Sequence, residues 1–239
     1  MSKDKHSVEE RKARRRRLTE RLETLRERTR FLEIELQDYT CDFYRVCIFG
    51  SARIKPNDEI YQATHDLALL FGKEGIDVLT GGGPGLMEAA NIGVRKGKEL
   101  SGSKSKSFGI SIDLGKFEVP NEHLDIKHHH KKFSSRLDDF MRLSNAVVVT
   151  PGGIGTLLEL YFSWQLLQVS HLEARPIVLL GRKFWEGLLD WTKNVQIKRG
   201  LISESDMNFL HVADTPEEVL EILKPDLNEF QKKKALKAL

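Results

Sequence analysis

A glycine-rich turn followed by one acid is the part of this sequence best suited to chemistry. It reads PGGIGTLLE at residues 151–159, directly after an apolar run, and it leads into a helical pattern. Glycine lets main-chain amides approach an anion closely, and the dipole of the following helix favours phosphate at the same place. The residues predicted to bind phosphate are Gly152, Gly153, Gly155 and Thr156.

The acid in this motif is Glu159, which lies one helical turn beyond Thr156. A carboxylate beside a bound sugar phosphate can stabilise positive charge that develops on the sugar, or orient an attacking water. We therefore predict a catalytic role for Glu159. A second interpretation stays open, in which Glu159 is a first-turn acid that complements the helix dipole.

Two more apolar runs end in glycine turns, FGS at residues 49–51 and TGGGPG at residues 80–85. Ligands of α/β proteins bind beyond the carboxyl ends of the strands, so three such turns predict one crevice for a nucleotide-like ligand. The spacing fits neither a dinucleotide fingerprint nor a Walker loop, and we expect no cofactor. We expect base contacts from Met87 or from a partner subunit. The predicted substrate-binding residues are Gly50, Ser51, Gly82, Gly83 and Met87.

The elements that position these turns alternate in type from residue 44 onward, with short apolar runs between helical patterns. This alternation predicts an α/β fold with a doubly wound, Rossmann-like parallel sheet. We divide the chain into an N-terminal basic helical arm at residues 1–40, a catalytic domain at 41–225 and a C-terminal tail at 226–239. The Lys/Ser/Gly-rich stretch at 101–107 is predicted to be a mobile surface loop.

The arm carries a heptad-like row of apolar positions that predicts a coiled-coil helix, and such a seam needs a partner. Its basic run, residues 11–17, is either a surface for an anionic partner or a solvated helix end. The acids that follow favour the solvated end, so we expect no nucleic-acid partner. The seam predicts a homodimer or a higher homo-oligomer. Its positions are Leu18, Leu22, Leu25, Thr29, Leu32 and Leu36.

Charge and apolar content restrict the compartment. The 239 residues include 38 Lys and Arg against 35 Asp and Glu, and the excess of three lies in residues 1–40. No stretch approaches the roughly 20 apolar residues of a membrane span, so we expect no membrane partner. Cys41 and Cys47 are too badly placed around one strand to form a disulfide. Reduced thiols predict a cytoplasmic protein.

A histidine-rich segment at residues 121–133, NEHLDIKHHHKKF, suggests a metal site at first sight. Three adjacent histidines cannot all face one ion on a regular element, and no Cys, His or Asp set has ligand spacing. We therefore expect no metal and interpret the segment as a cation-rich loop near an anionic ligand.

Two motifs in this order, GGGPGLMEAAN and PGGIGTLLE, resemble the LOG ("lonely guy") proteins, which are often labelled as possible lysine decarboxylases. The resemblance spans roughly Arg45 to Pro225. It implies a Rossmann-like homodimer that cleaves the N-glycosidic bond of nucleoside 5′-monophosphates, such as cytokinin riboside monophosphates or AMP, to a free base and ribose 5-phosphate. Lysine decarboxylation is disfavoured, because no lysine lies in a recognisable pyridoxal phosphate turn.

The same resemblance pairs the final Glu of the motif with an Arg 23 residues upstream, which is Arg136 in this chain. It implies that Arg136 and Glu159 are the catalytic residues. An ordinary ion pair of Arg136 with Asp138 or Asp139 remains open. The chain departs from the family pattern at Leu137, where Lys is usual, and at Leu158, where many members have a second acid. The alternative function is a nucleotide or pterin carrier, which would not require the Arg136 and Glu159 pair.

Overall fold

The computed structural model describes residues 2–39, 43–112 and 120–237. It divides the chain into two compact units, Met1–Asp42 and Phe43–Leu239. The first contains helix α1 (Ser2–Tyr39), on which Leu18, Leu22 and Leu25 are 59%, 49% and 55% exposed. The side chains of Leu32 and Leu36, and residue Cys41, lie outside the described residues. The coiled coil therefore stays a prediction.

The second unit is built on a seven-stranded sheet in the order β4-β3-β2-β1-β5-β6-β7, with every pair parallel. The predicted doubly wound α/β fold is confirmed. Central strands are apolar on both faces because helices cover both, and Val46, Val147 and Val178 have no exposed surface. The strands are β1 (Arg45–Phe49), β2 (Asp77–Thr80), β3 (Ser107–Ile112), β4 (Ile126–His130), β5 (Ala146–Val149), β6 (Ile177–Leu180) and β7 (Leu210–Ala213).

Helices connect the strands and cover the sheet. Within the described ranges, none of them combines the length and apolar character needed to cross a bilayer. A π-helix (Thr192–Ile197) and a 3-10 helix (Glu204–Phe209) lie between the last α-helices. The α-helices of this unit are α2 (Glu59–Lys73), α3 (Leu86–Ser101), α4 (Phe133–Leu143), α5 (Ile154–Gln168), α6 (Arg182–Trp191) and α7 (Pro216–Lys237).

The order of the strands sets where a ligand can bind. From β1 the chain builds outward to β4 at one edge, then returns to place β5 on the other side of β1. In sheets with this strand order the loops that leave β1 and β5 diverge, so a ligand crevice is expected between them at the carboxyl end of the sheet. The predicted glycine turns follow β1, β2 and β5, and all three lie at this end.

Close packing of α3 on α2 fixes the turn that precedes α3. A Cβ at Gly93 would overlap the carbonyl oxygen of His65, and one at Gly97 would overlap that of Leu69. The two helix backbones are therefore in direct contact, which only glycine permits at these positions. Because α3 starts at Leu86, this contact also holds the TGGGPG turn in place.

One prediction for local structure was wrong. The histidine segment is not a loop, because Ile126–His130 forms edge strand β4, paired with β3 from Phe108↔Ile126 to Ile112↔His130. The stretch at 101–107 is irregular and partly exposed, as predicted, but it is anchored to α2. The hydroxyls of Ser103 and Ser105 both donate to the carbonyl of Gly72 at the end of α2, and Ser105 is fully buried.

At the C-terminal end, α7 continues through Pro225 to Lys237. Leu227 packs in the core below the sheet, and the ring of Phe230 meets that of Tyr44 edge to face at 5.6 Å. The hydroxyl of Tyr44 donates to the carboxylate of Asp226. The first residues beyond 225 are thus attached to the α/β unit.

Candidate active site

Main-chain hydrogen bonds join the three glycine turns at the carboxyl end of the sheet. The amide of Ser51 donates to the carbonyl of Pro151 at 3.2 Å, and the amide of Leu86 donates to the carbonyl of Ser51 at 2.9 Å. Gly50 leaves no room for a side chain, because a Cβ there would overlap the hydroxyl of Thr150. The turns predicted from sequence to share one crevice do adjoin.

The turn after β5 leads into α5 without a side-chain cap. Gly153 is the N-cap residue and has no capping side chain, and the first turn of α5 has no acid. The first amides of a helix have no partner within the helix, so this end is suited to an anion. Gly153 and Gly155 face open space, whereas a Cβ at Gly152 would overlap the hydroxyl of buried Thr156.

The turn after β2 contains glycines with positive φ and is held by the side chain of one asparagine. Gly82 and Gly85 have φ values of +74° and +70°, which favour glycine. The side-chain amide of Asn121 donates to the carbonyls of Gly82 and Gly83 at 3.1 and 2.9 Å. With these carbonyls engaged on the protein side, the loop has a fixed shape at the edge of the crevice.

Arg136 and Glu159 form an ion pair at the same end of the sheet. Arg136 Nη1 lies 3.3 Å from Glu159 Oε1, and the two side chains are only 10% and 12% exposed. Arg136 Nε donates to the carbonyl of Ile110 on β3 at 2.8 Å, and the guanidinium lies 5.0 Å from the ring centroid of Phe140. The cation therefore has a fixed position and is paired with a carboxylate.

The first-turn interpretation of Glu159 does not agree with this geometry, and Arg136 pairs with an acid outside its own helix. Glu159 lies beyond the first turn of α5, which contains no acid. Arg136 reaches Glu159, while Asp139 contacts Arg142 at 3.1 Å and His130 at 2.7 Å.

Gly81 makes room for the guanidinium of Arg136, although the sequence predicted only its neighbours Gly82 and Gly83 as binding residues. A Cβ at residue 81 would lie 2.5 Å from Arg136 Nη2 and 2.7 Å from Met87 Sδ. The predicted base-contacting Met87 thus lies beside the cation. Three successive glycines were the only sequence signal for Gly81, and Asn121 gave none.

Cys47 on β1 is fully buried and lies near the ion pair of Arg136 and Glu159. Burial raises the pKa of its thiol, the negative charge of Glu159 raises it further, and the positive charge of Arg136 opposes both. The thiol stays protonated, so Cys47 is not a nucleophile. Across the described residues, no three His, Cys, Asp or Glu side chains are arranged to hold a metal ion.

The arrangement combines an uncapped helix terminus, which is suited to an anion, with an ion-paired carboxylate on the same helix. Such a site can hold a phosphorylated ligand by one end and present a carboxylate to the group attached to it.

Comparison with protein families gives a match over residues 87–223 to the model described as "Possible lysine decarboxylase". A rice (Oryza sativa subsp. japonica) protein named "Probable cytokinin riboside 5'-monophosphate phosphoribohydrolase LOGL2" is 31% identical over 191 residues, which cover 76% of this chain and 72% of the relative.

An Escherichia coli (strain K12) protein named "Pyrimidine/purine nucleotide 5'-monophosphate nucleosidase" is 27% identical over 142 residues, which cover 58% of this chain. The match spans about a third of that relative, 31% of its length. Among solved structures, the molybdenum cofactor binding protein of Rippkaea orientalis has a TM-score of 0.58 at 21% identity, covering 77% of this chain and 98% of that one. At this identity the likeness shows the fold alone.

Proposed function

The chain belongs to the LOG family, whose model is described as possible lysine decarboxylase, and from this premise we propose that it hydrolyses the N-glycosidic bond of nucleoside 5′-monophosphates. The products are a free base and ribose 5-phosphate. The observation that carries the proposal is the ion pair of Arg136 and Glu159 beside an uncapped helix terminus. The names of the rice and E. coli relatives support the same reaction class.

The phosphate of the substrate binds at the start of α5. Support comes from the open space around Gly153 and Gly155 and from the missing cap. Gly152 and Thr156 complete the turn, since the Thr156 hydroxyl occupies the space that a side chain at residue 152 would need. The main-chain amides and the helix dipole supply the attraction.

Glu159 acts on the ribose. As the bond between C1′ and the base nitrogen breaks, the base leaves with the electron pair and positive charge develops on the sugar. The carboxylate stabilises this charge and orients a water whose oxygen bonds to C1′, while the water's protons pass to solvent and to the base. Arg136 keeps Glu159 ionised and fixes its direction.

The base lies on the side of the crevice formed by the turns after β1 and β2. Gly50, Ser51, Gly82 and Gly83 provide close main-chain contacts there, and Met87 provides an apolar one. Support comes from the position of Met87 beside Gly81 and the guanidinium of Arg136. A nucleotide or pterin carrier would need the crevice but would not need an ion-paired carboxylate, so we favour the enzyme.

The test is a panel of nucleoside monophosphates, including AMP and isopentenyladenosine monophosphate, with release of free base measured by chromatography. We expect Glu159→Gln to lower kcat by about a hundredfold or more, because the charge that stabilises the sugar is lost. Exposed Glu186→Gln on α6 is the control and should retain the wild-type rate. Adenosine, which lacks the phosphate, should be a poorer substrate than AMP.

Two outcomes would overturn the proposal. One is that no monophosphate in the panel releases base, and the other is that Glu159→Gln turns over like wild type. Binding of a monophosphate without any release would favour the carrier.

We also propose a homo-oligomer that works in the cytoplasm. Ile154, Leu158 and Tyr161 follow each other at helical spacing on α5 and are 88%, 47% and 36% exposed. A second copy of the chain would cover this apolar face, which begins at the phosphate turn. The cytoplasmic assignment is supported by Cys47, a buried free thiol.

A further inference from the structure

A buried histidine connects edge strand β4 to the helix that carries Arg136. His130 is 4% exposed, and its Nε2 lies 2.7 Å from Oδ2 of Asp139, which is 7% exposed. The other ring nitrogen, Nδ1, shares a hydrogen bond of 3.0 Å with the hydroxyl of Ser135. One imidazole therefore contacts α4 on both sides of Arg136 along the chain.

Helix α4 needs such an anchor at its start. Its N-cap residue, Lys132, makes no side-chain cap, and the first turn holds no acid. Arg136 is the fourth residue of the helix, where the dipole disfavours a cation. The local sequence therefore does not place Arg136 by itself, and contacts from neighbouring elements have to do so.

The charges around His130 keep this contact strong. Burial by itself raises the pKa of Asp139, but the polar contacts with His128 and His130, and the charges of His130 and Arg142, hold it well below the usual value. Asp139 is thus a carboxylate at neutral pH. His128 Nδ1 lies 3.9 Å from Oδ2, and Arg142 Nη2 lies 3.1 Å from Oδ1.

Strand β3, which pairs with β4, holds the guanidinium end of Arg136. Its Nε donates to the carbonyl of Ile110 on β3, and Ile110 pairs with His128 in the register that pairs Ile112 with His130. A rotation of α4 about its axis would pull the guanidinium away from both this carbonyl and Glu159. The imidazole opposes that rotation, because it contacts Ser135 in the first turn and Asp139 one turn later.

We propose that His130 and Asp139 are positioning residues, which hold α4 in the rotation that brings the guanidinium of Arg136 to Glu159. The inference depends on the proposed function only for its catalytic readout. The placement of Arg136 is measurable without substrate.

The first experiment follows the Nε–H of Arg136 by ¹H–¹⁵N NMR in the full chain, with the signal assigned by its loss in Arg136→Lys. A hydrogen-bonded, buried N–H exchanges slowly with water. We expect His130→Leu to speed this exchange about tenfold or more. His130→Gln should stay close to wild type, because its amide can still donate to Asp139.

His129→Leu is the matched control. His129 immediately precedes His130 on β4. Its side chain lies on the opposite face of the strand, where it is exposed and contacts the hydroxyl of Ser111 at 3.2 Å. This variant should leave the Arg136 signal unchanged. Unaltered exchange in His130→Leu, or equal acceleration in His129→Leu, would overturn the proposal.

The second experiment measures kinetics of base release. We expect His130→Leu to lower kcat by about a hundredfold while KM for the monophosphate changes by less than about threefold, because the phosphate turn is not touched. His130→Gln should recover most of the rate. Equal losses in the Leu and Gln variants would contradict a positioning role.

The two proposals fail in different ways. If the wild-type chain releases no base, the proposed function fails, and the NMR comparison still decides the role of His130. If His130→Leu does not fold, Ser135→Ala and Asp139→Ala replace it, since each removes one of the two contacts. Each should accelerate exchange of the Arg136 Nε–H, and unchanged exchange in both would refute the positioning role.

Discussion

Replacing Gly81 by alanine tests how closely the guanidinium of Arg136 has to be placed. A Cβ at residue 81 would lie 2.5 Å from Arg136 Nη2, whereas ordinary contacts begin at 3.4 Å. The guanidinium therefore has to retreat by about 0.9 Å, or Met87 and the loop have to give way by a similar amount. Gly81 is not among the glycines with positive φ, so alanine adds no backbone strain there.

The size of the expected effect follows from this displacement. The contact between Arg136 Nη1 and Glu159 Oε1 is already 3.3 Å long, so a further shift breaks it. Misplacement of a catalytic group by about 1 Å can cost about a hundredfold in rate. We expect kcat for base release to fall by that factor in Gly81→Ala, with KM changing by less than about threefold.

Stability should change less than activity. Alanine restricts the unfolded chain, which stabilises by about 0.4–1 kcal/mol, and overpacking costs about 1–3 kcal/mol. Urea unfolding should therefore show a folded variant with a modestly shifted midpoint. Gly187→Ala on α6 is the control, because a Cβ there meets nothing within 4 Å. A folded Gly81→Ala enzyme with wild-type kcat would refute the reasoning about Arg136.

Two further predictions concern assembly, and a third concerns pH. Removing residues 1–40 should lower the oligomer order seen by light scattering if the arm pairs with another copy, and Leu158→Glu should shift the mass towards that of one chain, 27.4 kDa. An unchanged mass in either variant would contradict the corresponding contact. Burial raises the pKa of Asp139 but the neighbouring histidines outweigh it, so its folded pKa is lowered. The stability it contributes is present above its unfolded pKa and is lost as the pH falls. Between about pH 5 and pH 3, Asp139→Asn should therefore lose less urea stability than wild type, while exposed Asp138→Asn should follow wild type. Equal slopes for Asp139→Asn and wild type would contradict the shift.

The parts of the fold that sequence could predict are those with strong apolar periodicity. Strands β1, β2, β3, β5 and β6 are buried on both faces and read as short apolar runs between glycine turns. Strand β4 has no such signal, since it is an edge strand with one apolar residue, Ile126, and four polar ones. Its pairing with β3 depends on contacts that the local sequence does not display.

Motif spacing located the candidate site better than it located the residues that support it. Glu159 came from the motif itself and Arg136 from a family resemblance, and the structure brings them to 3.3 Å. Their roles stay predictions. Gly81 contacts Arg136, which is 55 residues away in the sequence, and Asn121 contacts Gly83, which is 38 residues away. A local sequence pattern does not reveal such contacts. His130 was predicted to lie in a cation-rich loop, because its burial depends on the alternation of a strand that the local sequence does not indicate.

The charge pair and the two glycine turns come from different halves of the sheet, and this separation has an evolutionary consequence. Both charged groups come from one contiguous unit, α4–β5–α5, whereas the turns after β1 and β2 belong to the other half of the sheet. If, as proposed, the β1 and β2 turns contact the base, substitutions in these turns would change which base is accepted while the charge pair stays intact. Under the same proposal, related chains would be free to change ligand choice and reactivity independently.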